Sequence, residues 1–242
     1  MMTGKTYYIH EMYPCLQGEG RNLGKPSLLI RFQRCNLRCK WCDTRYAISD
    51  TKEINNNQNW RELEMTLSDV IQQIKSYPSL QHIMFTGGEP TLQNFNQIFK
   101  VLESNYTAEV ESNATIIPHK IHKDFKIEDY NRYQWNLSPK GNNAGQNVNS
   151  DALDFWAELS KKHDKVFFKF VIAKESSHKD LNEVLEIIEG KKIKHDRVYL
   201  MPEGTTLESQ VYNEWLAEIC LRYNFNYTPR MQIILFNNRK GV

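Results

Sequence analysis

The feature that most restricts the fold of this chain is an alternation running along almost its whole length. Short β-rich runs, Leu28 to Phe32, His82 to Phe85, Ala108 to Glu111, Tyr133 to Leu137, Val166 to Ile172, Arg197 to Leu200 and Gln232 to Phe236, are mostly separated by stretches whose apolar residues recur at spacings of three and four. Those stretches, Leu67 to Tyr77, Leu92 to Ser104, Ala152 to His163, His178 to Ile188 and Leu207 to Tyr223, read as helices, with Thr66, Ser150 and Thr206 as candidate N-caps. Strands that alternate with helices build parallel βαβ units, as an open sheet or a partly closed barrel, and gather function at the C-terminal strand ends. Ser49 to Asn59, centred on Asn55-Asn56-Asn57-Gln58-Asn59, breaks the alternation and reads as a surface loop. No repeat and no linker rich in Pro, Gly or Ser divides the chain, so residues 1–242 are expected to form one domain.

Hydrophobic residues at 40% and charged residues at 25% are ordinary for a chain with a packed core. A formal net charge of +2 gives no electrostatic reason for a nucleic-acid partner, and a small-molecule substrate fits at least as well. No stretch approaches the roughly 18 consecutive apolar residues of a membrane span, and the first residues lack the apolar run of a signal peptide. The expected protein is cytoplasmic, with no membrane partner.

The chain has five cysteines, and Cys35, Cys39 and Cys42 fall within eight residues directly after the strand ending at Phe32. Disulfides among three such close neighbours are geometrically awkward, so metal binding is the natural reading. Three thiolates leave one iron of a cubane cluster open to an outside ligand. A structural zinc site would use four N or S ligands, often as two Cys pairs, and a ferredoxin would place a fourth cysteine nearby. Cys15 and Cys220 stand alone and read as small buried hydrophobes.

The run Cys35-Asn36-Leu37-Arg38-Cys39-Lys40-Trp41-Cys42, with an aromatic before its last cysteine, resembles the signature of the radical S-adenosylmethionine superfamily. Thr86-Gly87-Gly88-Glu89-Pro90, following the apolar strand that ends at Phe85, is similar to that superfamily's Gly-Gly motif; glycines lack a Cβ and let backbone approach a ligand closely. The resemblance implies an α/β fold, a partial, modified (β/α) barrel of the radical S-adenosylmethionine type. It implies a 4Fe-4S cluster on Cys35, Cys39 and Cys42, with S-adenosylmethionine bound at the open iron and cleaved to a 5′-deoxyadenosyl radical. Cofactor contacts are implied at Trp41, Cys42, Asp43, Gly88, Glu111, Ser138, Pro139 and Lys140. Taken as residues alone, Glu111 is a solvated strand end and Ser138-Pro139-Lys140 a turn.

Two flanking features narrow the resemblance. Leu16-Gln17-Gly18-Glu19-Gly20 upstream and Asp43-Thr44 just after Cys42, with Ser138-Pro139-Lys140, are similar to the 7-carboxy-7-deazaguanine synthase family from about Tyr7 to Lys140, and more loosely beyond. That likeness implies radical ring contraction of 6-carboxy-5,6,7,8-tetrahydropterin with loss of ammonia, toward queuosine. It implies a pterin substrate held at Leu16, Gln17, Gly18, Glu19, Arg31 and Thr86, Mg2+ on Thr44, a homodimer, and a flavodoxin or ferredoxin reductant. Arg31 stands in an otherwise apolar strand and suits bidentate binding of a carboxylate; the plain alternative is an edge-strand solubiliser. Thr44, without the resemblance, is a helix or turn cap. The same cysteine spacing also occurs in radical activases that place a glycyl radical on a partner enzyme, which predict neither Gln17-Gly18-Glu19 nor Thr44. Cys15 departs from the family's small hydroxyl residue, and Pro229 to Ile233, read as the start of a C-terminal strand, has no His where some members have one. The lysines Lys161, Lys162, Lys191, Lys192 and Lys194 are candidate attractors for an acidic donor, or simply solvated helix faces and loops.

Overall fold

The computed structural model describes residues 6–48, 63–237, 239 and 241, so the loop expected over Ser49 to Asn59 lies outside the described residues. Among the described residues, one sheet of nine strands organises the fold. The strands are β1 (Thr6–Leu16), β2 (Pro26–Phe32), β3 (Leu63–Thr66), β4 (His82–Gly87), β5 (Thr107–Ser112), β6 (Tyr133–Leu137), β7 (Val166–Ile172), β8 (Val198–Pro202) and β9 (Asn226–Tyr227). Their order across the sheet is β3-β1-β2-β4-β5-β6-β7-β8-β9. β1 runs antiparallel to β2 and β3, while every pair from β2 to β9 is parallel. From β4 onward each strand lies beside its successor in the chain, so right-handed crossovers keep their helices on one face and the twisted sheet curls around the other. Among the described residues the edge strands β3 and β9 do not meet, and the barrel remains partial, as expected.

The two-residue period of the strands sorts their side chains into two layers. Ile83 and Phe85 of β4, Ala108 and Val110 of β5, Tyr133, Trp135 and Leu137 of β6, and Val166, Phe168, Phe170 and Ile172 of β7 join one apolar core. The helices Leu67–Lys75, Ser150–Lys162 and Ser177–Lys191 cover it with Val70 and Ile74, Leu153 and Trp156, and Val184 and Ile188. The alternate positions, Thr86, Glu109, Glu111, Gln134, Asn136 and Lys169, form a second, polar layer on the concave side. Burial on both faces makes β7 fully buried, yet it carries a lysine in its centre.

Several boundaries differ from the sequence expectation for physical reasons. β1 goes unread because a bulge between Ile9 and Glu11 breaks the alternation: Tyr7 and Ile9 enter the core, and the register then shifts. Gln232 to Phe236, expected as a strand, is the helix Met231–Phe236. A short apolar run satisfies either period, and the place beside β8 is taken by β9. The helix expected over Leu92 to Ser104 shortens to Phe95–Lys100 after a tight turn at Pro90–Leu92. The one expected over Leu207 to Tyr223 splits into Leu207–Gln210 and Glu214–Tyr223 around Tyr212, whose φ is +54°. Thr66 caps as expected, accepting from Asp69 N at 3.2 Å, and Thr206 from Ser209 N at 3.3 Å. At Ser150 the cap is the preceding Asn149, whose Oδ1 accepts from Ala152 N at 3.0 Å.

Candidate active site

The concave face encloses a cavity of about 250 Å³, lined by the loop after β2, the C-terminal halves of the strands, the end of β1 and the C-terminal segment. Cys35, Cys39 and Cys42 all line it from one loop. The loop is pinned from outside: Trp41 Nε1 donates to Asn143 O at 3.0 Å, Gln146 Nε2 to Arg38 O at 3.0 Å, and Asn113 Nδ2 to Cys35 Sγ at 3.8 Å. Burial, reinforced by Glu89, pushes the Cys35 thiol up to about 12, and burial also raises Cys39. Among the described residues no three His, Cys, Asp or Glu side chains close on a point as they would around one ion. Three thiols on a single loop facing a cavity suit a cluster whose irons are each reached separately. Cys15 also lines the cavity, but on β1, where its charged neighbours are Arg31, Glu109 and Glu11. Cys220 is buried against Asn226 O at 3.7 Å.

The Gly-Gly turn has a role that the sequence reading did not foresee. A Cβ on Gly87, whose φ is +141°, would sit 2.1 Å from Phe32 O, and one on Gly88 would sit 2.1 Å from Arg34 O and 2.7 Å from Ala47 O. The close approach is to the chain's own cysteine loop. Gly88 N donates to Phe32 O at 3.0 Å, Glu89 N to Arg34 O at 2.8 Å and Arg34 N to Ala47 O at 2.8 Å, so the turn prolongs the β2–β4 ladder into that loop. Glu89, fully buried, accepts from Thr91 Oγ1 at 2.6 Å, Ser112 Oγ at 2.9 Å and Asn113 N at 2.7 Å. Burial raises its pKa, and these donors oppose the shift. Thr86 and Gly88 both line the cavity.

The floor opposite the thiols is a charged network. Lys169 Nζ donates to Glu19 Oε2 at 2.5 Å and to Glu111 Oε2 at 2.9 Å. Burial works against the charge on Glu19, but Lys169 and Arg230 overrule it and hold the carboxyl down at about 2. Burial drives Glu111 the other way, upward, with Glu109 and Glu19 adding to it. Gln17 Nε2 donates to Glu111 at 3.2 Å and to Glu109, while Asn136 Nδ2 donates to Glu111 Oε1 at 2.7 Å. Gln17 is more committed than its sequence context suggests: its N donates to Lys25 O, its O accepts from Gly24 N, and its Oε1 accepts from Glu19 N at 3.1 Å. Gly18 O accepts from Met231 N at 2.9 Å. Leu16, Gln17 and Gly18 therefore line the cavity chiefly as a closed turn, and the Glu19 carboxylate reaches past it to accept from Lys169 and Gln232.

The remaining expected residues gather at the same cavity, apart from Pro139, which is not part of its lining. Lys140 Nζ donates to Ser138 Oγ at 2.7 Å and lies 5.1 Å from the centroid of the Trp41 ring; burial lowers its pKa. Thr44 has its Oγ1 3.7 Å from Cys42 Sγ, and its carbonyl accepts from Ala47 N at the start of the short helix Arg45–Ile48, a capping position. Arg31 is held from the side, with Nε donating to Glu11 Oε1 at 2.5 Å and its guanidinium 6.0 Å from the Tyr46 ring. Sequence reading missed Lys169, Arg230 and Gln232. A lysine in the run Val166 to Ile172 was as visible as Arg31 in its own strand, but Arg230 and Gln232 were concealed by the strand expected there.

An open parallel barrel whose first parallel strand ends in a three-cysteine loop, with a Gly-Gly turn zipped to that loop, defines a radical S-adenosylmethionine protein. The profile of the Radical SAM superfamily matches residues 29–135. Three 7-carboxy-7-deazaguanine synthases resemble the chain over nearly its full length. That of Halobacterium salinarum is 28% identical, covering 97% of this chain and 92% of the relative. That of Hyperthermus butylicus is 30% identical over 94% and 92%, and that of Buchnera aphidicola 30% over 89% and 90%. The crystal structure of QueE from Escherichia coli shares the fold, with a TM-score of 0.66 at 21% identity and 93% of each chain covered. The chain belongs to the 7-carboxy-7-deazaguanine synthase family. The superfamily's cofactors are a 4Fe-4S cluster and S-adenosylmethionine, and the thiol-lined cavity suits both in donor chemistry and in position.

Proposed function

We propose that this protein converts 6-carboxy-5,6,7,8-tetrahydropterin to 7-carboxy-7-deazaguanine with loss of ammonia, a step toward queuosine in tRNA. The observation that carries this reading is that one cavity joins three cysteine thiols on one wall to a hydrogen-bonding floor of Glu19, Glu111 and Lys169 on the other. Relatives named 7-carboxy-7-deazaguanine synthase, matched over 92% of their own length, support it.

Bound and reduced, the cluster with S-adenosylmethionine supplies a carbon-centred radical oxidant that moves one substrate hydrogen. The chain's own residues bind, orient and exclude water. A reduced pterin presents N–H donors along its pyrimidine edge, and Glu19, kept ionised by Lys169 and Arg230, is an acceptor suited to them. Lys169 fixes the height of Glu19 and Glu111 together, so the floor is preorganised. Leu16, Gln17, Gly18, Arg31 and Thr86 complete the substrate wall. Trp41, Asp43, Gly88, Ser138 and Lys140 are assigned to the cofactor side, with Glu111 where the floor meets it and Pro139 linking Ser138 to Lys140 without lining the cavity, and the Thr44 hydroxyl, beside Cys42, is assigned to Mg2+.

The same proposal takes residues 1–242 as one cytoplasmic domain, acting as a homodimer reduced by flavodoxin or ferredoxin. Among the described residues no helix is long and apolar enough to cross a membrane. Of the lysines singled out in the sequence, Lys161, Lys162 and Lys191 end the helices that lead toward β7 and β8 and Lys192 and Lys194 follow the second of them, at the opposite end of the parallel sheet from the cysteine loop. A donor would meet the exposed Arg38, Lys40 and Arg45 of that loop instead.

Anaerobically reconstituted protein, given dithionite, S-adenosylmethionine, Mg2+ and carboxytetrahydropterin, is expected to release 7-carboxy-7-deazaguanine, identified by mass, and Cys35→Ala, Cys39→Ala and Cys42→Ala to release none. Formation of 5′-deoxyadenosine with no deazaguanine refutes the substrate assignment.

A further inference from the structure

We propose that Glu109 is a positioning residue for the pterin site, which through Gln17 holds the turn at residues 16–20 in its binding shape; this rests on the function proposed above. Glu109 alternates along β5 with Ala108 and Val110, which enter the apolar core, so its side chain points to the concave side. It is fully buried and lies outside the cavity lining, one layer beneath the floor. A carboxylate accepts hydrogen bonds and does not donate them, and four side-chain amides turn their N–H ends to this one. Gln17 Nε2 donates to Oε1, while Asn22 Nδ2 at 2.7 Å, Gln134 Nε2 at 3.3 Å and Asn136 Nδ2 at 3.4 Å donate to Oε2. His82 Nε2 stands 3.6 Å from Oε2.

That convergence settles which way each amide faces. With Gln17 Nε2 committed to Glu109 and Glu111, Gln17 Oε1 is left to accept from Glu19 N at 3.1 Å, inside the turn. Asn22 ends the short helical turn Gly20–Asn22 that follows. The two oxygens of Glu109 therefore grip the connection between β1 and β2 on both sides of Glu19. Lys169 and Gln232 set the Glu19 carboxylate, whereas Glu109 sets the backbone that carries it. Burying a carboxylate is costly unless donors offset it, and two of the donors here come from the segment that the substrate would meet. Glutamine at position 109 has one acceptor oxygen and an N–H end of its own, so either Gln17 or Asn22 would lose its partner and face a second donor.

Dissociation constants for carboxytetrahydropterin and for S-adenosylmethionine are measured on the reconstituted full-length enzyme as wild type, Glu109→Gln, Gln17→Ala and the double variant. Glu109→Gln is expected to weaken pterin binding about tenfold, the order of one hydrogen bond to a charged group, and to leave S-adenosylmethionine affinity at the wild-type level. Gln17→Ala is expected to lose a similar factor. The double variant is expected to stand about tenfold below wild type instead of about a hundredfold, because both changes break one linkage. Glu109→Asp, which keeps an acceptor-only group on a shorter stem, is expected to fall between wild type and Glu109→Gln, and it serves as the measurement if Glu109→Gln loads no cluster. Unchanged pterin affinity in Glu109→Gln, equal weakening of both ligands, or losses that multiply in the double variant overturn the proposal. A wild-type protein that binds no carboxytetrahydropterin overturns the proposed function and this inference with it, whereas one that binds and converts it, with any of those three results in the variants, overturns this inference alone.

Discussion

Lys169 is the residue on which the floor of the cavity depends. It is the cation shared by Glu19 and Glu111, and its own pKa is raised because the two carboxylates outweigh the burial that would lower it. Lys169→Met would leave two buried carboxylates without that partner. Breaking such a pair costs about 3–5 kcal/mol, to be read by denaturant unfolding of the apoprotein. The sign with pH follows from Glu19. Its folded pKa of about 2 lies below the ordinary carboxylate value, so its stabilisation is complete above that value and is lost as the pH falls toward 2. Glu111, already raised by burial, protonates before Glu19, so the difference in stability between wild type and Lys169→Met is expected to be full in the alkaline range, to begin shrinking above the ordinary carboxylate range and to go on shrinking through it as the pH falls; an unchanged difference at pH 3 would refute the pairing.

Elements carry the site through their ends. β2 delivers the cysteine loop, and the turn after β4 grips it through backbone contacts that leave no room for a Cβ at Gly87 or Gly88. Gly88→Ala is expected to keep the far-UV circular dichroism of the wild type and yet lose most of its iron after anaerobic reconstitution. Full iron incorporation would show that the turn tolerates the methyl group. The motif was legible in the sequence, but its purpose was read as room for a ligand, because a one-dimensional pattern does not say which backbone comes close. Parallel strands β4 to β8 were legible nearly to the residue, since hydrophobic runs of strand length bounded by turns have few alternatives. β1 and the helix Met231–Phe236 were not, because a bulge erased one period and the other run was too short to show one.

The molecule as a whole is held by an aromatic core beneath the helices and is open on its other face. Trp135 and Trp156 meet at 4.7 Å between ring centroids, Tyr130 packs 5.4 Å from Trp135, and Phe95 lies 6.1 Å from it, all fully or nearly fully buried. Trp156→Ala would open a large cavity between β6 and the helix Ser150–Lys162 and is expected to cost about 3–5 kcal/mol in denaturant unfolding. Trp156 stands in the apolar layer, away from the concave face, so the product formed per folded molecule is expected to stay at the wild-type level. What the sequence by itself determined was the α/β alternation, the three-thiol loop with its Gly-Gly partner, and the kinship these motifs announce, because local periodicity and close spacing are properties of neighbouring residues. What only the tertiary structure decided was the floor of the cavity. Glu19, Glu111, Lys169 and Arg230 are far apart in the chain, and only the curl of the sheet and the return of the C-terminal segment bring their charges within reach, where burial makes each depend on the others.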